Sequence, residues 1–213
     1  MVLTETYVLA RGSQSVIRQF NRKDVDRWMD WPIHSDPLYT ASYPHQMNRY
    51  ERDLWCSERT NRQDYIMFAV DDFSGYLVGF ITIRNIDRQR IHGVLGITLR
   101  PEALSQGFGT DCLWTFLSYY FNFLNFDVMI LDVAAYNRRA QRVYEKCGFV
   151  YTNEHWGYYD DYTVFTNPHY ADLRPYFRMH GNWIETLYYD MVLRRHDYFV
   201  RCQLGLTPIS RAR

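Results

Sequence analysis

The chain has 213 residues, 47% hydrophobic and 18% aromatic, and its 24 basic and 24 acidic side chains cancel. That length fits a single domain with a full core, and the composition excludes a disordered chain. The neutral balance gives no support for nucleic-acid binding.

Residues 1–5 lack a charged n-region and a long apolar stretch, so no signal peptide is expected. Residues 6–10 and 15–20 read as two strands around Arg11-Gly12-Ser13. Asn21 sits where an N-cap belongs, and Asp24 falls in the first helical turn, where the dipole favours a carboxylate. Val25, Trp28 and Met29 recur at helical spacing, which predicts a helix over 21–31. Residues 32–45 carry three prolines and have loop composition. A second helix is expected over 46–60, with Met47, Tyr50 and Leu54 on one face.

Residues 65–70 and 76–84 predict a hairpin around the turn 71–75. A buried strand is expected over 93–99, a helix over 110–123 and a central β-branched strand over 128–133. A helix over 137–146 ends near Gly148. Strands at 149–152 and 183–193 follow. The tyrosine-rich stretch 158–180 reads as a long insertion, and 208–213 as a frayed tail. The order gives an α/β fold, a mixed twisted sheet flanked by helices, in one domain over 1–213.

Cys56, Cys112, Cys147 and Cys202 are scattered without metal-ligand spacing, so reduced thiols and no metal are expected. No 18-residue apolar run exists, hence no membrane span is expected and the protein reads as cytoplasmic. Nineteen tyrosines and six tryptophans exceed what a core needs, so some are expected to line a cleft.

Chemistry concentrates in residues 101–149. Gln106-Gly107-Phe108-Gly109-Thr110 opens a helix, whose unpaired N–H groups and partial positive charge attract phosphate. The two glycines keep side chains away from those amides, although a turn needing positive φ accounts for them equally well. Neither a P-loop lysine nor a Rossmann third glycine is present. Asn137 follows a strand end and reads either as an N-cap or as an amide donor to a peptide-like ligand. Ala140 is small on the same face. Tyr144 lies two turns past Asn137, facing the same groove, and a phenol can protonate a leaving thiolate.

Leu99-Arg100-Pro101-Glu102 with the glycine loop, then Asn137-Arg138-Arg139-Ala140 and Tyr144-Glu145-Lys146-Cys147-Gly148-Phe149, resembles the GNAT superfamily of acetyl-CoA-dependent N-acetyltransferases. The likeness looks closest to the branch that acetylates N-termini of ribosomal proteins, and covers about 6–150 and 183–193. The resemblance implies an acyl-CoA N-acyltransferase fold. It implies backbone pairing of Ile97, Thr98 and Leu99 with pantetheine, and amides of Gln106, Gly107, Phe108, Gly109 and Thr110 on the pyrophosphate. It further implies pantetheine binding by Asn137, with Ala140 beside it, and Tyr144 as the proton donor to sulfur. The reaction would be direct acetyl transfer to a small amine or to a peptide or protein N-terminus, with a homodimer as a further expectation.

Two departures stand out. Leu104-Ser105 replaces the polar start of the family's loop, and His92-Gly93-Val94-Leu95-Gly96 lacks the glutamate that relatives use as a base. His92 is the nearest substitute. These departures motivate the alternative of a catalytically weak CoA-binding module. Loop 32–45 and insertion 158–180 are expected to flank the acceptor, with Asp36, Asp160 and Asp161 attracting a cationic amine.

Overall fold

A computed structural model describes residues 7–36, 38–39 and 46–207. The expectations for Thr6, for residues 37 and 40–45 and for the tail 208–213 lie outside these described residues.

Strands β1 (Val8–Arg11), β2 (Val16–Gln19), β3 (Ile66–Asp71), β4 (Leu77–Asp87) and β5 (His92–Leu99) form an antiparallel half-sheet. Then β6 (Val128–Ala134), β9 (Trp183–Arg194) and β7 (Val150–Tyr159) continue it in that spatial order. Among the described residues, β5–β6 is the one parallel pair. Strand β8 (Phe177–His180) pairs with the first residues of β9, on the edge that β6 occupies further along.

Side-chain alternation divides the core. On β4, Ile81 and Ile83 face the main cluster, which α3 (Phe108–Asn122) fills with Leu113, Phe116, Leu117 and Tyr120. Helix α4 (Arg138–Cys147) adds Tyr144 and Cys147 to that cluster. Phe80 faces the other way, against Trp28 and Trp31 beside α1 (Arg22–Met29). Asn21 and Asp24 form a capping box on α1. Asp24 also joins Asp71 around the buried Arg18 guanidinium, at 2.7 and 2.6 Å, which pins α1 to β2 and β3.

Three expectations change. Helix α2 (Arg49–Thr60) begins after Asn48, so Met47 lies outside it, while Tyr50 and Leu54 are exposed; Cys56 faces the core instead. A three-residue apolar pattern is too short to decide between two helix faces. The strand expected at 149–152 runs to Tyr159, taking in the start of the insertion. The rest of the insertion holds α5 (Thr163–Thr166), a 3-10 segment and β8. Helix α6 (Arg195–Gln203) was not expected; its one buried residue, Tyr198, packs on Trp114 and Phe121.

The insertion and loop 32–39 close a third cluster of Leu38, Val164, Tyr170, Phe177 and Ile184. Asp36 and Asp161, expected to attract an amine, carry structural bonds. Asp36 Oδ1 accepts from Leu38 N and Tyr170 Oη, and Asp161 Oδ1 accepts from Thr163 N.

Candidate active site

The β5–β6 ladder holds only at His92–Val128, Gly93–Met129 and Val94–Ile130. Beyond that, β5 stays with β4 as far as Leu99, and β6 stays with β9 as far as Ala134. Two parallel strands that part in this way leave backbone groups facing a gap, and a ligand with amide groups can occupy it as an added strand would. The strand expected to be buried is therefore only half-buried from Gly96 onward.

The loop after β5 turns tightly. Pro101 opens a 3-10 turn, Ser105 has φ 61°, and Gly107 caps α3 at φ 90° with no side-chain cap. Gly107 is thus required by its backbone conformation. Among the described residues, the amides of Ser105, Gln106, Gly107, Phe108 and Gly109 donate to no protein acceptor. Thr110 N donates to Gly107 O, which leaves Thr110 its hydroxyl. Five unused donors at a helix N-terminus form an anion cradle.

Asn137 caps α4: its Oδ1 accepts from Ala140 N at 3.2 Å, while its Nδ2 stays available. Both readings of Asn137 are therefore compatible. Buried Gln141 fastens the turn before α4 by donating to Ala134 O and Ala135 O.

Tyr144 is 7% exposed and packs edge-on against Phe149. Its hydroxyl has no hydrogen-bond partner among the described residues. Burial holds the phenol well above its usual range, and the negative charge of Asp132 adds to that. The proton therefore stays on Tyr144 at any physiological pH.

These elements enclose a cleft of about 350 Å³. Ile97, Thr98, Leu99, Gly107, Gly109, Thr110, Asn137, Ala140 and Tyr144 line it. Gln106 and Phe108 do not. The Gln106 side chain folds back to Glu102 O, and Phe108 packs on the core, so each offers only its amide. His92 stands at the opposite end of β5, five residues before Ile97 and so roughly 16 Å away along the strand. It cannot serve as the base.

Tyr39, Arg142 and Val143, which the sequence reading did not single out, also line the cleft, as do Leu104, Ser105, Arg139 and Lys146, to which it gave no binding role. Arg139, Arg142 and Lys146 recur at i, i+3 and i+7, one basic stripe on α4. That spacing is the signal that could have found them. Leu104 supplies apolar wall where a polar contact had been thought lost.

A family model, the acetyltransferase (GNAT) domain, matches residues 15–150. A spermidine N(1)-acetyltransferase of Vibrio cholerae is 28% identical over 145 residues, which is 67% of this chain and 76% of that protein. An uncharacterized N-acetyltransferase of Methanocaldococcus jannaschii is 32% identical over 82 residues, 38% of this chain and 51% of that protein. The crystal structure of spermidine N-acetyltransferase from Vibrio cholerae in complex with CoA and spermine superposes with TM-score 0.64 at 20% identity, covering 88% of this chain and 99% of that one. With the family model spanning well over half of its length, the chain belongs to the GNAT acetyltransferase family.

Proposed function

We propose that the chain, acting as one domain, transfers an acetyl group from acetyl-CoA to a small cationic primary amine. The observation that carries this is the juxtaposition of the unused amide cradle at 105–109 with the unpartnered Tyr144 hydroxyl, on either side of the β5–β6 gap.

The residues present fit acetyl-CoA. The loop amides suit a pyrophosphate, and Arg139, Arg142 and Lys146 suit its remaining charge. The gap-side edge of β5 and Asn137 Nδ2 suit the pantetheine amides. Bound there, the cosubstrate supplies an activated acetyl thioester. Tyr144 Oη then donates its proton toward the sulfur as the carbon–sulfur bond breaks. A phenol held above its usual pKa is a weak acid toward a thiolate. Water exclusion offsets this, because it also raises the basicity of the departing sulfur.

Transfer is direct, without an acetylated enzyme. Cys112 and Cys147, the thiols whose charge would act on Tyr144, cannot act as carriers, since both are fully buried and burial pushes Cys147 up to about 12.

A small amine is favoured over a protein N-terminus because the V. cholerae relatives are named for spermidine acetylation. Four free cysteines support a reducing, cytoplasmic setting. The alternative, a CoA-binding module with weak catalysis, is favoured by one observation: no carboxylate or usable histidine lies on β5 near the gap.

Calorimetry with acetyl-CoA, followed by thiol release with putrescine, spermidine, spermine and a short peptide, tests both readings. Turnover with alkylamines supports the enzyme. Binding without turnover supports the module, and no binding overturns both.

A further inference from the structure

The turn between β1 and β2 sits on the first turns of α3. Gly12 packs so close that a Cβ there would lie 2.3 Å from Asp111 Oδ2 and 2.5 Å from Thr115 Oγ1. Ser13 N and Gln14 N both donate to the Asp111 carboxylate, at 2.8 and 3.1 Å. The backbone of Gln14 is therefore fixed beside the helix terminus that carries the unused amides.

From that place the Gln14 side chain crosses to the loop, and its Nε2 donates to Gln106 O at 3.3 Å. Among the described residues no other donor reaches that carbonyl. Gln106 O and Gly107 N belong to one peptide unit. Such a unit is planar and trans, so its C=O and N–H point opposite ways. With the carbonyl held toward the β1–β2 turn, the Gly107 N–H points away from it. Gly107 lines the cleft, and this N–H is one of the unused donors.

Glycine leaves the orientation of that unit open. Gly107 has φ 90° and ψ −16°. Half a turn of the 106–107 peptide unit carries φ to about −90°, which glycine adopts as readily. The turned unit would present the Gln106 carbonyl where the unturned one presents the Gly107 N–H. A carbonyl repels the anion that an N–H attracts. The backbone alone does not decide between the two states, and the Gln14 bond does. It holds the carbonyl outward and polarises the same amide, which strengthens the N–H as a donor. Gly107 also leaves room for this contact, since a Cβ there would lie 2.8 Å from Gln14 Nε2.

Resting on the acetyl-CoA reading above, we propose that Gln14 is a positioning residue for the cosubstrate, holding the 106–107 peptide so that the Gly107 N–H faces the pyrophosphate. Gln14 is not among the cleft-lining residues, so it acts through the peptide rather than on the ligand. The β1–β2 turn is thereby part of the anion cradle. Its effect is confined to donors that carry a pyrophosphate.

The test compares wild type with Gln14→Met, which keeps the length of this half-buried side chain and removes its donor. Calorimetry reads acetyl-CoA affinity. Initial rates are read with acetyl-CoA and with S-acetylpantetheine, which keeps the thioester and the pantetheine arm but has no pyrophosphate. Loss of a neutral hydrogen bond that selects one of two states predicts Kd and KM for acetyl-CoA raised about threefold to tenfold, with kcat within about twofold. On S-acetylpantetheine, kcat/KM should stay within about twofold of wild type. In the free protein the Gly107 amide nitrogen resonance should move, because the carbonyl of its own peptide unit has lost its partner.

An unchanged acetyl-CoA affinity, an equal loss on both donors, or an unmoved Gly107 resonance overturns the inference. Where the wild type does not turn over S-acetylpantetheine, the acetyl-CoA affinity and the Gly107 resonance decide. If Gln14→Met does not fold, Gln14→Ala is read by the same measurements. Wild type that fails to bind acetyl-CoA overturns the acetyltransferase reading along with this one. Wild type and variant that bind it equally well overturn this inference alone.

Discussion

Ser15 Oγ donates a 2.6 Å hydrogen bond to Asp111 Oδ2 across 96 positions of sequence, fastening the β1–β2 turn to the first turn of α3. Asp111 also accepts from Ser13 N, Ser13 Oγ and Gln14 N, and its place near the helix N-terminus adds a favourable dipole. The α3 terminus that carries the anion cradle is therefore held by a buried carboxylate.

Burial alone would raise the Asp111 pKa, but the bonds from Ser15, Ser13 and Gln14 outweigh it and hold the carboxyl below its usual range. A depressed carboxylate stabilises the fold fully above its unfolded pKa and loses that contribution as pH falls through the folded one. Asp111→Asn turns one acceptor into a donor facing donors, which should cost about 2–3 kcal/mol. Thermal melts should show Tm lower by roughly 5–10 °C at pH 7. The gap between variant and wild type should shrink below about pH 4. A gap that stays constant down to pH 3 would show that the carboxylate charge is not what holds the turn.

Tyr144→Phe removes a hydroxyl that has no protein partner, so stability and acetyl-CoA affinity should barely move. If the hydroxyl delivers the proton to sulfur, kcat should fall about 100-fold or more. Because burial holds this phenol above its ordinary value, the acid is lost only as pH rises through that higher pKa. Wild-type kcat should therefore show no descending limb between pH 8 and 10. Equal turnover by the two proteins would assign the proton to water.

Much of this site was legible because each part has a local signature. The loop, the α4 cap and Tyr144 all lie within 48 residues, and their geometry follows from helix termini and helical spacing. What escaped depended on contacts between distant segments. Gln14 meets Gln106 O across 92 positions because the β1–β2 turn seats on α3, which local patterns do not encode. Tyr39 reaches the cleft only because loop 32–39 is tied to the insertion, and Tyr170 Oη bonds Asp36 across 134 positions. The α4 stripe was readable but was masked by the motif that contains it.

Arg142 and Lys146 line the cleft with few competing partners, so they should serve the cosubstrate's phosphates. Replacing both with Gln should raise KM for acetyl-CoA by about 10-fold, with kcat and amine KM little changed. The wild-type KM should rise with salt, and the double variant should respond less. Identical salt dependence in the two proteins would remove these side chains from the cofactor site.

The last prediction concerns the latch between loop and insertion. Tyr170 Oη donates to Asp36 Oδ1 at 2.9 Å, and Tyr136 Oη donates to Leu38 O at 3.2 Å. Between them they fix Tyr39, which lines the cleft with the Arg139 guanidinium 5.2 Å from its ring centroid. Deleting the insertion would test little, because Val164 and Tyr170 are part of a buried cluster and their loss would unfold that end of the molecule. Tyr170→Phe keeps the ring packed and removes only the bond, at a cost of about 1–2 kcal/mol. A loosened Tyr39 should raise KM for acetyl-CoA by about threefold to tenfold, in line with a cost of that size. Reduced stability with both KM values unchanged would make the insertion a brace for the sheet, with no part in binding.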